Sequence, residues 1–351
     1  EADEVSILAG VRHGVTTGAP VAIRIGNSEW PKWETVMSAD PVDPSALLID
    51  AGTGDEREIA RNRPLTRPRP GHADLPGMLS YDLSEARPVL ERASARETAA
   101  RVALGALAEA LLEQVADVCL VSHVIAVGTQ RARSEVVPMP ADENALCEAS
   151  MRALDPADNA RFEAAVDEAK HAGDTIGGVV EVIAYGVPVG LGTHVTARER
   201  LDARLAAALM SIQSVKGVEI GDGFAQAALL GSAAHDEIVR GADGHLTRTT
   251  NHAGGIEGGT SNGAPIVARA AFKPISTVPR ALRSVDLATG EEAVGLHQRS
   301  DTCQVVPGAV IAEAEVALVL ADALFDHAGG RSVAEMRRNL SSYLEVVEER
   351  A

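Results

Sequence analysis

A glycine-rich segment at residues 251–263 constrains this chain more than any other stretch of its sequence. It carries glycines at positions 254, 255, 258, 259 and 263, separated by small hydroxyl and amide side chains. Glycine readily adopts positive φ and lets backbone N–H groups come close to a ligand. Such a loop cannot pack a core, but its amides can surround an anion. Its spacing matches neither G-x-G-x-x-G nor the P-loop pattern, so it also fits an Ω-loop or a series of tight turns.

The composition is that of a globular protein with a large core. The chain has 351 residues, of which 46% are hydrophobic. No apolar run in the printed sequence is long enough to cross a bilayer, and no signal peptide is visible, so we expect no membrane partner. The three cysteines, at 119, 147 and 303, are sparse, which fits a reducing cytoplasm. The scattered histidines predict no metal site.

Arginines are concentrated in residues 61–101 although the formal net charge is −18. This net charge disfavours a nucleic-acid partner, but a local cluster of cations can still bind a small anion. The alternative is a solvated face on which Glu85, Glu91 and Glu97 balance the arginines, and the residue types leave both interpretations open. The members of the cluster are Arg61, Arg63, Arg67, Arg69, Arg87, Arg92, Arg96 and Arg101.

Strand pairs alternate with long alanine-rich helices, which favours an α+β fold with antiparallel sheets over a doubly wound parallel sheet. The strongest predicted helix covers residues 88–116, and Arg92, Ser94 and Arg96 fall at its start. Two arginines there oppose the helix dipole unless an anion binds between them. Further helices are predicted at 160–171, 201–216, 309–326 and 333–349. Strands are predicted at 5–8, 20–25, 118–127, 218–224 and, as a pair, within 177–192, with a hairpin at 285–294.

Two short motifs supply candidate catalytic groups. Residues 67–74 read RPRPGHAD, so prolines stiffen a segment that carries two arginines and His72. Arginine suits carboxylate or phosphate recognition and histidine suits proton transfer, although His72 could simply cap a turn with Asp74. Farther along, Lys273 follows a strand-like run, and Asp301 lies beside Arg299 in what could be a plain surface ion pair. Together with the glycine loop they suggest a phosphate-bearing ligand held beside proton-transfer groups.

Taken together, these stretches resemble the chorismate synthase family. The resemblance is carried by blocks in one order along the chain, at residues 26–33, 67–74, 91–98, 173–179, 212–219, 254–263, 273–278 and 299–303. It implies a helical core layered between antiparallel sheets, a single domain over residues 1–351 and a homotetramer. It also implies an activity, the 1,4-anti elimination of phosphate from 5-enolpyruvylshikimate-3-phosphate to give chorismate, with reduced FMN and no net redox change.

The resemblance also implies roles for individual residues. His72 and Asp301 would be the proton-transfer groups, and Arg69 and Arg92 would bind the substrate. The FMN contacts would be Arg92, Ala93, Ser94, Gln213, Ser214, Gly258, Lys273, Pro274, Ile275, Ser276, Thr277 and Arg299. A dense positive charge is what a trianionic substrate stacked on an anionic flavin requires, and a closed site would keep water and dioxygen away.

One departure from the family pattern leaves a second hypothesis open. Family members begin with a segment that contains Gly-Glu-Ser-His-Gly and an arginine-rich motif, whereas this sequence starts at Glu1, just before the strand predicted at 5–8. We therefore expect the sequence to lack an N-terminal segment that carries a second catalytic histidine. If that segment is truly lost, the chain would be a non-catalytic subunit that binds FMN or another anion. A third hypothesis is a flavin oxidoreductase that oxidises NADPH.

Overall fold

The computed structural model describes residues 4–43, 62–134, 136–242, 244–296 and 300–350. The chain divides into two compact units. The first comprises Glu1–Ala100 and Ala281–Gln298, and the second comprises Arg101–Arg280 and Arg299–Ala351. The expectation of one domain over the whole chain stays a prediction. None of the helices in the described ranges combines the length and the apolar character that a membrane span requires.

The described strands are mostly short. They are β1 Val5–Ala9, β2 Val11–Arg12, β3 Val15–Thr16, β4 Ala22–Ile25, β5 Cys119–Val127, β6 Gln130–Arg131, β7 Gly178–Tyr185, β8 Val215–Ile220, β9 Ile238–Arg240, β10 Leu246–Arg248, β11 Ile256–Glu257, β12 Thr260–Ser261, β13 Ile266–Phe272, β14 Arg283–Val285 and β15 Glu292–Val294.

The described α-helices include two long ones near the C-terminal end of the chain. They are α1 Asp74–Ser80, α2 Arg87–Ala93, α3 Thr98–Ala116, α4 Glu143–Glu148, α5 Pro156–His171, α6 Leu201–Met210, α7 Gly223–Gln226, α8 Gly231–Ala234, α9 Val305–Ala328 and α10 Val333–Arg350. Single 3-10 turns lie at Trp30–Lys32, Ala95–Glu97 and Pro140–Asp142.

The first unit is built from two-stranded antiparallel pairs and short helices. β1 pairs with β4, β2 with β3, and β14 with β15. The β14–β15 hairpin confirms the prediction for residues 285–294, while the β2–β3 hairpin between the two predicted strands was missed. A small core of Leu65, Met78 and Ala86 packs beneath α1 and α2, with Leu90 and Leu296 against it.

The second unit contains a five-stranded antiparallel sheet in the order β6-β5-β7-β13-β8. Buried and half-buried residues alternate strictly along β13, which is the pattern of a strand with one face on a core. α9 covers the sheet, and most of its residues are buried. Small residues let the helices approach one another, since a Cβ added at Gly105 of α3 would lie 2.3 Å from the Cβ of Ala314 in α9. Helices and antiparallel sheets confirm the α+β class.

The predicted helix at 88–116 is wrong as a single element. α2 ends at Ala93, Ser94 is extended with φ −63° and ψ 131°, and α3 begins at Thr98 after a 3-10 turn. The Ser94 side chain causes the break, because its Oγ accepts a hydrogen bond from the Arg96 N–H and competes with helical bonding. Arg92 therefore lies in the last turn of α2, where a cation suits the helix dipole.

Other boundaries also differ from the predictions. Of the two strands expected within 177–192, the structure forms the first, β7, and has no second strand in that range. The helix predicted at 201–216 ends at Met210, because the chain turns and Ser214 adopts φ +71°, so that Lys216 lies on β8. α5 begins at Pro156 rather than at 160, since the side chain of Asp155 caps it by accepting from the Ala157 N–H at 2.7 Å.

Candidate functional site

In the first unit, Asp74 at the start of α1 binds both Arg69 and His72. The fully buried carboxylate lies 2.6 Å from His72 Nδ1 through Oδ1 and 2.8 Å from Arg69 Nε through Oδ2. Arg69 Nη2 donates to Oδ1 at 3.1 Å, and the Arg69 backbone N–H donates to Oδ2 at 3.0 Å. An ionised carboxylate only accepts, so His72 Nδ1 carries the proton in this contact. Nε2 is then the unprotonated ring nitrogen, and Arg69 Nη2 lies 3.3 Å from it.

The charge of Asp74 is fixed by these contacts. Burial by itself raises the pKa of this carboxyl group, but the hydrogen bonds from His72 and Arg69 outweigh it and hold the pKa of Asp74 well below its usual range. Asp74 is thus ionised at neutral pH and can orient the imidazole. The segment does close a turn, because the His72 N–H donates to the Arg69 carbonyl at 3.2 Å. A turn alone does not require a buried carboxylate that binds two side chains.

The arginine cluster has several structural members. Arg69 is bound to Asp74. Arg87 is buried, lies over the Trp33 ring at 5.6 Å and donates to the Arg63 carbonyl, and its burial lowers the pKa of the guanidinium. Arg101, in the second unit, binds Glu315 at 3.0 Å. Part of the cluster therefore stabilises the fold through buried or half-buried contacts. Arg61 lies outside the described residues.

Arg92, Ala93 and Ser94 form the junction between α2 and the following 3-10 turn. The Arg92 side chain is exposed, and Ala93 and Ser94 are half-buried. Nearby, Arg96 Nη2 donates to the Gly26 carbonyl at 3.2 Å, which ties the junction to the block at residues 26–33. An exposed guanidinium at such a junction is available to an anionic ligand, so the predicted role of Arg92 stays a prediction that this geometry accommodates.

In the second unit, Lys273 directly follows β13 and is anchored to two other predicted segments. Its backbone N–H donates to the Ser214 carbonyl at 2.9 Å, and its carbonyl accepts from Gln304 Nε2 at 3.4 Å. Ser214, next to Gln213, holds a left-handed conformation that is uncommon outside glycine and often marks a functional position. Burial lowers the pKa of Lys273, and Lys216 lowers it further.

The residues after Lys273 are also fixed in place. The carbonyl of Ile275 accepts from the hydroxyl of Thr175 at 2.8 Å, and Thr277 is buried. Glycine is required at position 177, because a Cβ there would lie 2.2 Å from the Phe272 carbonyl oxygen. Pro274 and Ser276 lie between these anchors. The structure thus brings together the predicted residues at 213–214 and 273–277 within one unit.

Asp301 is exposed and lies two residues before Cys303, which forms a β-bridge with Ile176. The Ile176 N–H donates to the Thr302 carbonyl at 3.0 Å, and Ile176 pairs with Cys303 in a parallel bridge. Asp301 is therefore carried by a segment that is hydrogen-bonded to residues 175–177. Arg299, which was predicted to contact FMN, lies outside the described residues.

The glycine-rich segment folds around the β11–β12 hairpin. Arg248 binds Glu257 in a two-point contact, with Nε at 2.8 Å and Nη2 at 2.5 Å, and Arg248 Nη1 donates to the Asn262 carbonyl at 3.2 Å. The Ser261 hydroxyl donates to the Pro188 carbonyl at 2.6 Å. Gly258, the predicted FMN contact, lies at the tip of the hairpin with φ +60°. The loop is a well-held structure rather than a loose series of turns.

Two polar atoms of this loop are buried without a partner in the described part of the chain. They are Thr260 Oγ1 and Asn262 Nδ2, and Asn262 is 9% exposed. Side chains two apart on an extended backbone point to the same face, opposite to Ser261 between them. Leaving a buried polar group unsatisfied costs about 1–3 kcal/mol. The loop therefore has the glycines and the unsatisfied polar side-chain atoms expected of a ligand-binding element.

The sequence reasoning missed the importance of Asp74 and Arg248. Asp74 had been considered only as the partner in a turn, although its position at a helix start two residues after a histidine was a usable signal. Arg248 lies outside every motif, and its link to Glu257 depends on how the β9–β10 hairpin packs. No spacing rule in the sequence could have shown that contact.

The fold and these groups define a class: an α+β protein with a half-buried histidine held by a buried aspartate in one unit and, in the other, a lysine-bearing segment and a glycine loop suited to an anionic ligand. The family model for chorismate synthase matches residues 1–325. The chain belongs to the chorismate synthase family. That family consists of lyases, so the chain is an enzyme of that class.

Individual relatives agree with the family assignment. The chain is 61% identical over 350 residues to a chorismate synthase of Beutenbergia cavernae, covering 99% of this chain and 86% of the relative. It is 57% identical to the enzyme of Mycolicibacterium vanbaalenii, covering 100% of this chain and 84% of the relative. A crystal structure of chorismate synthase superposes with a TM-score of 0.75 at 33% identity, covering 99% of this chain and 85% of that one.

Proposed function

We propose that this chain catalyses the reaction of its family, the 1,4-anti elimination of phosphate from 5-enolpyruvylshikimate-3-phosphate to give chorismate, with reduced FMN as the cofactor. The observation that carries the proposal is the His72–Asp74 contact at 2.6 Å, which gives a family member an oriented, partly exposed imidazole. The proposed proton-transfer residues are His72 in the first unit and Asp301 in the second. Arg69 and Arg92 are the proposed substrate-binding cations.

Several chain segments fit a phosphate-bearing cofactor. The glycine loop offers Thr260 Oγ1 and Asn262 Nδ2, which have no partner among the described residues, and Lys273 supplies a cation whose segment is fixed by Ser214. The proposed FMN contacts are those that the resemblance implies, at residues 92–94, 213–214, 258, 273–277 and 299. When bound, the reduced flavin would lend electron density to the allylic system as phosphate leaves.

The remaining steps belong to side chains. His72 Nε2 would exchange a proton while the Asp74 carboxylate holds the imidazole in place through Nδ1. Asp301, an exposed carboxylate, would act as the second proton-transfer group. Cations such as Arg92 and Lys273 would offset the negative charge of substrate and cofactor, which are both anionic.

A non-catalytic subunit is not favoured, because relatives named chorismate synthase match almost the entire chain at 57–61% identity. We propose a homotetramer in the cytoplasm on the strength of the family resemblance. No dinucleotide fingerprint supports NADPH oxidation by this chain.

The test is anaerobic phosphate release from the substrate with chemically reduced FMN, using the full-length gene product and its His72→Ala and Asp301→Ala variants. Each substitution is expected to cut turnover by about 100-fold or more if the side chain transfers a proton. His171→Asn is the control, because His171 is exposed at the end of α5, where its Nδ1 contacts the Asp167 carbonyl of the same helix. Unchanged turnover in both alanine variants would remove these residues from the mechanism.

A further inference from the structure

The start of the glycine loop is held by a histidine–carboxylate pair outside all the predicted contacts. His252 Nδ1 lies 2.5 Å from Asp222 Oδ2, and Asp222 lies two residues after the end of β8. The two residues are also bonded through their main chains, since the Asp222 N–H donates to the His252 carbonyl at 2.9 Å. Two residues that are 30 positions apart are thus joined through both side chain and main chain.

A second carboxylate fixes the same turn from the other side. Asp236 Oδ1 accepts from the His252 N–H at 2.8 Å, and Oδ2 accepts from the Ala253 N–H at 2.9 Å. Burial raises the pKa of Asp236, but the bonds from Thr250, Ala253 and His252 outweigh it and lower the pKa below its usual value. Asp236 is therefore an ionised acceptor for two adjacent amides.

Close backbone packing leaves this turn little freedom. Gly254 has φ +60°, and a Cβ there would lie 2.3 Å from the Gly221 nitrogen. Asn251 closes the turn on the loop side, because its Oδ1 accepts from the Gly255 N–H at 2.8 Å and its Nδ2 donates to the Pro265 carbonyl at 2.8 Å. The first residues of the glycine loop are therefore locked to the end of β8.

We propose that His252 and Asp222 are positioning residues that hold the glycine loop in the conformation that binds the flavin phosphate. The pair is only about one-third exposed, and it joins the loop to the sheet through a charge-assisted contact. Preorganising a binding loop lowers the entropy that binding would otherwise cost, so the pair sets flavin affinity rather than the chemical step. This inference rests on the proposed function, in which the loop contacts FMN.

The test compares His252→Leu with His252→Asn in the full-length protein. Leucine removes the donor, whereas the asparagine amide places an N–H where Nδ1 was. His252→Leu is expected to weaken FMN binding, measured as Kd by flavin fluorescence quenching, by about 10-fold, with kcat at saturating FMN changed by less than about 2-fold. His252→Asn is expected to recover most of the affinity.

A parallel variant keeps the proposal testable if His252→Leu fails to fold. Asp222→Asn keeps the shape and removes the charge, and we expect it to raise the Kd by about 3-fold. Equal Kd values for FMN in the wild type, His252→Leu and Asp222→Asn would overturn the inference. A fall in kcat without a change in Kd would overturn it as well. A wild-type protein that binds no FMN would instead overturn the proposed function and this inference with it.

Discussion

At the scale of single residues, Asp74 joins two groups of the candidate site. Its carboxylate binds both Arg69 and His72 and is fully buried. A buried ion pair that loses one partner leaves an uncompensated charge, which is costly. Asp74 therefore couples the stability of the first unit to the orientation of the imidazole.

We expect Asp74→Asn to lower the free energy of unfolding by about 3 kcal/mol at pH 7. The pKa of Asp74 is lower in the folded than in the unfolded chain, so its stabilisation is complete above the unfolded pKa of about 3.9 and disappears as the pH falls toward the folded pKa. Urea unfolding at pH 7 and pH 3 should show the difference from wild type shrinking in acid. Asp174→Asn, at the exposed Arg280 pair, should change stability by less than about 0.5 kcal/mol.

Glu109 provides a second prediction at this scale. Burial, followed by the charges of Glu313 and Glu143, raises the pKa of Glu109 to about 7, although Arg152 acts in the opposite direction. The folded chain then holds an extra proton between pH 4.5, the ordinary value, and about 7. Stability therefore falls as the pH rises through this window.

Glu109→Gln should remove that loss. We expect the variant to be more stable than wild type by about 2 kcal/mol at pH 8 and nearly equal to it at pH 5. Chemical denaturation at both pH values is the measurement, and Glu113→Gln, exposed on the same helix, is the control. An equal effect of Glu109→Gln at the two pH values would show that the carboxyl group is not protonated in the folded chain.

At the scale of elements, the contact between α3 and α9 depends on a missing side chain. A Cβ at Gly105 would come within 2.3 Å of the Ala314 Cβ and 2.6 Å of its Cα. Alanine is the better helix former by about 1 kcal/mol, but overpacking a well-filled interface costs about 1–3 kcal/mol and requires the helices to separate.

We therefore expect Gly105→Ala to lower the free energy of unfolding by about 2 kcal/mol despite its helix propensity. Adding Ala314→Gly should restore part of the loss, because it removes the clashing methyl group. Gly217→Ala is the matched control, since its added Cβ would make an ordinary 3.6 Å contact with Ala271. A stabilised Gly105→Ala protein in urea denaturation would contradict this account of the packing.

The elements show what a sequence pattern can and cannot predict. Strand β5 and the hairpin at Arg283–Val285 and Glu292–Val294 were predicted because apolar runs and a turn signal are local. The break at Ser94 was missed, because apolar periodicity continues through a single capping side chain. The partners of β7, which are β5 and β13, are set by long-range pairing that no local pattern encodes.

The candidate site, too, could be predicted only where its signals are local in the sequence. The motifs predicted which segments carry charged and glycine-rich groups, and the Lys273 N–H donates to the Ser214 carbonyl, which joins two of those segments. The clamps formed by Asp222 with His252 and by Arg248 with Glu257 depend on residues brought together by the fold. The partners are 30 and 9 positions apart in the sequence, so no short motif contains both members of either pair.

At the scale of the whole molecule, this acidic chain of the chorismate synthase family performs a phosphate elimination with no net redox change. Its net charge of −18 is compatible with anionic ligands because cations are concentrated locally. The claim separates this chain from a flavin oxidoreductase, which would consume a reductant in every turnover.

The most direct test is a single-turnover experiment under anaerobic conditions with the full-length protein, reduced FMN and 5-enolpyruvylshikimate-3-phosphate. Phosphate and the flavin absorbance spectrum are followed together. The account predicts that one phosphate is released per substrate consumed while the flavin is still reduced at the end. Flavin oxidation in step with turnover, or bound flavin without phosphate release, would contradict it.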